Sequence, residues 1–213
     1  MGLLPARFSH WTPRYVVDRL SLWLWQKRHP DCPWLTVPAI ELLESLLRST
    51  DEGVEWGSGR STLWFARRVK HLCSVEHNAQ WFARVSSLLA ASGLQNVSYC
   101  YRSVTDETHQ EQQEPYVSVV EQFAPNSLDF ALVDGVFRSA CTLAVLPRLR
   151  PGGLLIVDNC ERYLPSNSRV PRARSLSDGP LDENWARVAE LVRDWRCVWT
   201  GNVVMDTAIW FKP

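Results

Sequence analysis

Four acidic residues close four short apolar runs, and they are the groups whose type and spacing could do chemistry: Glu55, Glu76, Asp134 and Asp158, the last followed by Asn159. Glu55 opens the run Glu55-x-Gly57-Ser58-Gly59-x-Ser61. Glycines let a backbone approach a ligand closely, and a helix starting there presents unpaired N–H groups. Glu76 follows the first glycine by about twenty residues, at the end of the next apolar run, where a carboxylate can accept both hydroxyls of a ribose. A nucleotide-like ligand is therefore expected, held by Glu55, Gly57, Ser58, Gly59, Ser61 and Glu76. His77, directly after Glu76, is placed to hydrogen-bond beside the same ligand.

Asp134 and the pair Asp158-Asn159 offer three oxygen ligands, a set that with water suits Mg²⁺. The same acids could instead cap helices. Arg138 lies four residues after Asp134. A guanidinium keeps its proton and is a poor base, but it can steady an anionic substrate. The proton acceptor is then Asp134, His77 or a metal-activated hydroxyl.

These groups need a scaffold that brings strand ends together. Apolar runs ending on Glu55 and Glu76, Val97 to Tyr101, Leu128 to Val133 and Leu154 to Val157 read as strands. The run before Asp134 is nearly all apolar, as in a parallel strand covered on both faces. Helical stretches intervene: from the glycine turn to Val69, Ala79 to Ser92 with a stop at Gly93, Tyr116 to Phe123, and Ser139 to Leu149 before a Pro151-Gly152-Gly153 turn. Residues 102–114 are polar and loop-like. After a helix over Asp182 to Asp194, Cys197 to Thr200 and Thr207 to Phe211 follow with no helix between them, which predicts a hairpin edge. In such sheets ligands collect beyond the carboxyl ends of the strands, so the four acids should share one crevice.

Residues 1–50 hold two further helices, Arg14 to Gln26 and one from Pro38 through Leu47 with Thr36 as cap. They are expected to cover the sheet; the sharper alternative is that Trp11, Trp34 and nearby residues roof a substrate pocket. A membrane-surface role for residues 21–28 is the weaker alternative, because the stretch is short. The arginine-rich segment 160–176, too polar and proline-rich for a core element, reads either as a mobile lid for an acidic substrate or as a solvated loop.

Composition narrows the classes. Lys+Arg and Asp+Glu are equal at 23 each, so nothing draws the whole chain to nucleic acid. Six cysteines without a C-x-x-C pair fit reduced thiols, and a start lacking a signal-peptide core fits a cytoplasmic protein with no transmembrane segment. There is no P-loop and no G-x-S-x-G elbow. Thr62 stands where a dinucleotide fingerprint has its third glycine or alanine.

The Glu55–Ser61 run resembles the first motif of the class I S-adenosylmethionine-dependent methyltransferases, with Glu76 matching their ribose-binding acid. The run from Leu149 to Asp158 is similar to the segment leading into their fifth strand, and the likeness spans residues 50 to 213. It implies an α/β fold with a doubly wound, seven-stranded, mostly parallel sheet and an antiparallel last strand. A helical cover (1–50) would precede a methyltransferase domain (51–213), and Arg102, Ser103 and Val104 would lie near the adenine. Asp134 with Asp158-Asn159 resembles the metal site of the catechol and caffeoyl-CoA type O-methyltransferases, where a divalent cation holds two vicinal substrate oxygens. Those enzymes carry a lysine base three residues after the aspartate, whereas Gly135, Val136, Phe137 and Arg138 follow here.

The expected function is methyl transfer from S-adenosylmethionine to a small molecule, at a hydroxyl oxygen, with Asp134 and Arg138 catalytic, Asp134 also at the cofactor, and Mg²⁺ a candidate assistant. An anionic acceptor would suit the arginines. The Asp/Asn-Pro-Pro-Tyr/Phe run typical of amino-group methylation, the form that a nucleic-acid methylase takes, is missing at Asp134. Alternatives are an NAD-dependent oxidoreductase and a non-catalytic nucleotide-binding module.

Overall fold

The structure is a computed structural model that describes residues 12–104 and 110–213, with the side chains of 110–112 left out. Trp11, expected in the pocket roof, and residues 105–109 of the polar stretch lie outside the described residues. Helices α1 (Pro13–Arg28) and α2 (Val37–Leu46) come first. An alternation follows of β1 (Glu52–Trp56), α3 (Arg60–Ala66), β2 (His71–Glu76), α4 (Ala79–Ser92), β3 (Val97–Tyr101), α5 (Gln110–Val117), β4 (Leu128–Val133), α6 (Arg138–Val145), β5 (Leu149–Asp158), α7 (Glu183–Leu191), β6 (Arg196–Gly201) and β7 (Asp206–Phe211).

The strands form one sheet in the order β3-β2-β1-β4-β5-β7-β6. The first five are parallel, and β7 pairs antiparallel with both β5 and β6. The expected doubly wound sheet with its closing hairpin is observed. Successive side chains of a strand point to opposite faces, and this explains the continuous apolar runs. Phe130 and Leu132 of β4, with Ile156 of β5 and Ile209 of β7, join Leu35, Ile40, Leu43, Trp64 and Phe65 in one core. Ala131 and Val133, with Leu155 and Val157, enter the other core under Tyr116, Cys141 and Val188.

The segment before β1 is tied to the sheet's hairpin edge. Thr36 stands at the N-cap of α2, yet its side chain makes no cap bond. Its hydroxyl pairs with that of Thr200 and its N–H donates to Thr207 Oγ1 (3.2 Å), all of it buried. Gly93 ends α4 in the left-handed conformation, as expected (φ 71°).

Two expected boundaries move. The polar stretch that reads as loop to residue 114 is already helical from Gln110, because glutamine and glutamate are good helix formers. The helix expected over 116–123 is the end of α5 followed by a 3₁₀ turn at Ser118–Gln122. Likewise α6 stops at Val145, and β5 begins at Leu149, before Pro151-Gly152-Gly153. That tripeptide is a bulge within β5: the register passes from Leu128↔Leu149 to Phe130↔Leu154.

Candidate active site

Gly57 sits at the carboxyl end of β1 with φ +93°, where a Cβ would come within 2.9 Å of the Asp134 and Gly135 backbone. Only glycine allows the ends of β1 and β4 to meet this closely. Ser58 then reaches Glu76, whose Oε2 accepts its N–H (3.1 Å) and its hydroxyl (2.7 Å), while Oε1 accepts the N–H groups of His77 (2.9 Å) and Asn78 (2.8 Å). His77 Nδ1 lies 3.2 Å from Oε1 but is poorly aligned with it. Burial works to raise the Glu76 carboxyl, but donors from His77, Asn78 and Ser58 outweigh it and hold it below its ordinary value. Glu76 is therefore a fixed carboxylate.

A cleft of about 640 Å³ opens here, lined by Gly57, Ser58, Glu76, His77, Asn78 and Trp81 among others. That volume suits a nucleoside-sized ligand. Of the donors on Glu76, only the Ser58 hydroxyl can rotate away, which would free a lone pair for a diol. Ser103 is exposed and Val104, half-buried, packs against the core cluster that includes Tyr116. The residues present fit the nucleoside of the expected donor.

Glu55 does not line this cleft. It is fully buried, and Oε1 accepts the hydroxyls of Thr62 and Ser74 (2.7 Å from Ser74). Thr62 Oγ1 in turn accepts the Gly59 N–H (2.9 Å). Thr62, the departure from a dinucleotide fingerprint, thus links Glu55 to the glycine turn. Among the described residues Oε2 of Glu55 has no aligned hydrogen-bond partner, and burial raises its carboxyl to about 7. Ser61 is buried in the first turn of α3.

At the ends of β4 and β5 an arginine spans the acids. Arg138 Nη2 donates to Asp134 Oδ1 (2.9 Å) and to the Asp134 carbonyl (2.8 Å), Nε donates to the Gly135 carbonyl (2.9 Å), and Nη1 to the Asp158 carbonyl. Asp158 is buried, accepts the Thr207 hydroxyl at 2.7 Å, and its carboxyl is pushed well above the usual range by burial and then by Asp134. Burial also raises the Asp134 carboxyl, against the lowering pull of Arg138. Asn159 is left-handed (φ 49°), as is Phe137 (φ 49°), and non-glycine residues in that region store strain typical of functional sites.

The expected metal ligands Asp134, Asp158 and Asn159 do not fit a divalent cation. The guanidinium holds the Asp134 carboxylate and the Asp158 main-chain carbonyl, Asp158 Oδ1 accepts from Thr207, and among the described residues no group of three His, Cys, Asp or Glu side chains could hold a metal ion. The four acids do not share one crevice: Glu76 lines the cleft, whereas Glu55, Asp134 and Asp158 do not, and the cation beside Asp134 is the protein's own Arg138.

Three contributors were not foreseen. Trp81 donates its indole N–H to the Ser58 carbonyl (2.6 Å), Tyr99 Oη lies 2.6 Å from Ser58 Oγ, and the buried Tyr116 hydroxyl sits against Gly135. The alternation of β3 marks Tyr99, on the face of Tyr101, as a signal that could have been read. Trp81 and Tyr116 carry no such signal. The arginine-rich segment is folded down: Cys160, Leu164 and Val170 are buried, and Arg174 donates to the carbonyls of Asp178 (2.9 Å) and Gly179 (2.6 Å). A proline-rich run thus anchors through a few apolar residues.

Sheet order, closing hairpin and a glycine-turn cleft with a ribose-type carboxylate define a class I S-adenosylmethionine-dependent methyltransferase. A family model described as a methyltransferase domain matches residues 54–160, half of the chain, and the chain belongs to that family. Solved structures agree in fold. A putative caffeoyl-CoA O-methyltransferase from Staphylococcus aureus matches with a TM-score of 0.57 at 16% identity, over 97% of this chain and 96% of its own. A methyltransferase-like protein from Silicibacter pomeroyi gives 0.56 at 22% identity (86% and 91%). A putative methyltransferase from Streptococcus mutans, in complex with SAH, gives 0.54 at 13% identity (81% and 94%). No curated protein matches the sequence. Among the described residues no helix is long and apolar enough to cross a membrane.

Proposed function

We propose that this enzyme methylates a hydroxyl oxygen of a small-molecule acceptor without a divalent metal, using Arg138 as the fixed positive charge of the acceptor site. The observation that carries this reading is the guanidinium lying between Asp134 and Asp158. Arg138 has five N–H groups, and four are used on Gly135, Asp134 and Asp158. The remaining Nη1–H is available to an acceptor oxygen as it becomes anionic, and an anionic acceptor would gain from the same charge.

The bound S-adenosylmethionine supplies an already activated methyl group, so the protein's work is alignment and removal of one proton. Glu76 orients the ribose, with Gly57, Ser58 and Gly59 giving backbone access, His77 and Ser103-Val104 flanking the nucleoside, and Glu55 and Ser61 supporting the turn from beneath. Asp134, held by Arg138 and partly open, accepts the hydroxyl proton. The helical segment to residue 50 covers the sheet, and Trp34 lies near Trp81 at the cleft (ring centroids 6.4 Å apart).

The test is calorimetric titration with S-adenosylhomocysteine and with NAD, followed by turnover of the donor on a panel of phenolic and carboxylated hydroxyl acceptors with and without chelator. Binding of the first ligand and chelator-resistant O-methylation support the reading. Binding without turnover on any acceptor would favour a non-catalytic module, and NAD binding alone would favour an oxidoreductase.

A further inference from the structure

Helix α1 faces the wrong way for a cover that only seals a core. Its one fully buried residue is Leu22, and Trp25 and Gln26 turn inward, where the Gln26 carbonyl accepts from Arg60. The apolar residues Val16, Val17, Leu20, Trp23 and Leu24 are all exposed, Val17 at 60%, Leu20 at 55% and Trp23 at 49%. Counted from Val16 they fall at i, i+1, i+4, i+7 and i+8, so they form one stripe along the outer side of the helix. Arg14, Arg19, Lys27 and Arg28 flank that stripe against a single acid, Asp18, in a chain whose overall charge is zero. Asp18 is turned toward Arg14, and the Lys27 ammonium sits 4.0 Å above the Trp23 ring.

We propose that α1 is an interfacial helix that docks this enzyme onto an anionic lipid bilayer. An outward apolar stripe, a tryptophan on its border and basic residues around it are the features by which a helix lies in a membrane interface without crossing it. A second copy of the chain is the poorer occupant, because a two-fold contact would set this basic helix against itself. A partner helix is poorer too: the clefts beside α1, about 240 and 260 Å³, are lined by its inward residues Leu22, Trp25 and Gln26, and of the outward stripe they take in only Trp23. The proposal rests on α1 alone and is independent of the methyl-transfer chemistry.

The test is flotation of the full chain with phosphatidylcholine vesicles, with and without phosphatidylserine, at low and high salt. Binding should rise about tenfold or more with phosphatidylserine and be lost at high salt. The double variant Leu20→Asp, Leu24→Asp should lose it while keeping S-adenosylhomocysteine binding, which shows that the fold is intact; Arg14→Gln with Arg28→Gln should weaken it only on anionic vesicles. Equal flotation on both vesicle types, none on either, or no effect of the paired aspartates would overturn the proposal. So would a concentration-dependent dimer, seen by sedimentation, that the aspartates abolish, since the face would then belong to a second copy.

Discussion

At the scale of single residues, two buried glutamates in adjacent strands behave oppositely, and their partners are the reason. Glu76 has four aligned hydrogen-bond donors and is ionised, whereas Glu55 has two hydroxyl donors on one oxygen and none on the other. Glu76→Ala should weaken S-adenosylhomocysteine binding by about ten- to a hundredfold, the cost of charge-assisted bonds to a ribose, as read by calorimetry. An unchanged affinity would move the ribose elsewhere. Glu55 makes a prediction in pH. Its folded carboxyl is raised from 4.5 to about 7, so the folded state binds the extra proton. Its contribution to stability is therefore fully present below the lower value and is lost as pH rises through the upper one. Denaturant titrations of wild type and Glu55→Gln should converge in acid and diverge between these limits in favour of the variant, by about 1 kcal/mol per pH unit at most. A constant difference across that window would show that Glu55 titrates normally.

At the scale of elements, the site depends on β1, β4 and β5 ending at the same level. Gly57 permits the first meeting and Arg138 enforces the second, since it bonds carbonyls at the ends of both β4 and β5. Gly57→Ala places a Cβ against the Gly135 N–H, so it should cost about 1–3 kcal/mol and impair donor binding together with stability. Arg138→Gln removes the charge that offsets Asp134 and should destabilise the fold by about 3 kcal/mol. Arg138→Lys, which keeps a charge but not the fork, should recover part of that stability while leaving turnover at least about tenfold down. If the lysine variant turned over normally, the Arg138 geometry would have no role in the reaction.

At the scale of the whole molecule, donor-site ligands and metals should separate cleanly in a thermal shift. S-adenosylhomocysteine at a hundred times its dissociation constant should stabilise the protein by about 2.7 kcal/mol, while Mg²⁺ and chelators should leave both the melting temperature and turnover unchanged. A magnesium-dependent rise in either would restore the aspartate pair as ligands. Helix α1 carries four basic residues and one acid in a neutral chain and lies apart from the glycine-turn cleft, so vesicle binding and catalysis should respond to different substitutions.

The sequence by itself determined the sheet and the glycine turn with its facing carboxylate. Apolar runs covered on both faces, glycines where strands meet and acids at strand ends are local features, and they specify the closing hairpin and a Glu76 carboxylate facing the glycine turn. Only the tertiary structure decided what the remaining groups do, because their roles depend on which side chains meet across distant strands. Glu55 was displaced from the ligand to a buried brace by Thr62 and Ser74. Asp134 and Asp158 were changed from metal ligands into partners of Arg138 and Thr207. Tyr116 was placed against Gly135 by a helix whose start lay in a polar, loop-like stretch. The outward turn of α1 was likewise hidden: periodicity reports that a helix has an apolar stripe, but packing alone decides whether that stripe meets the core or the solvent.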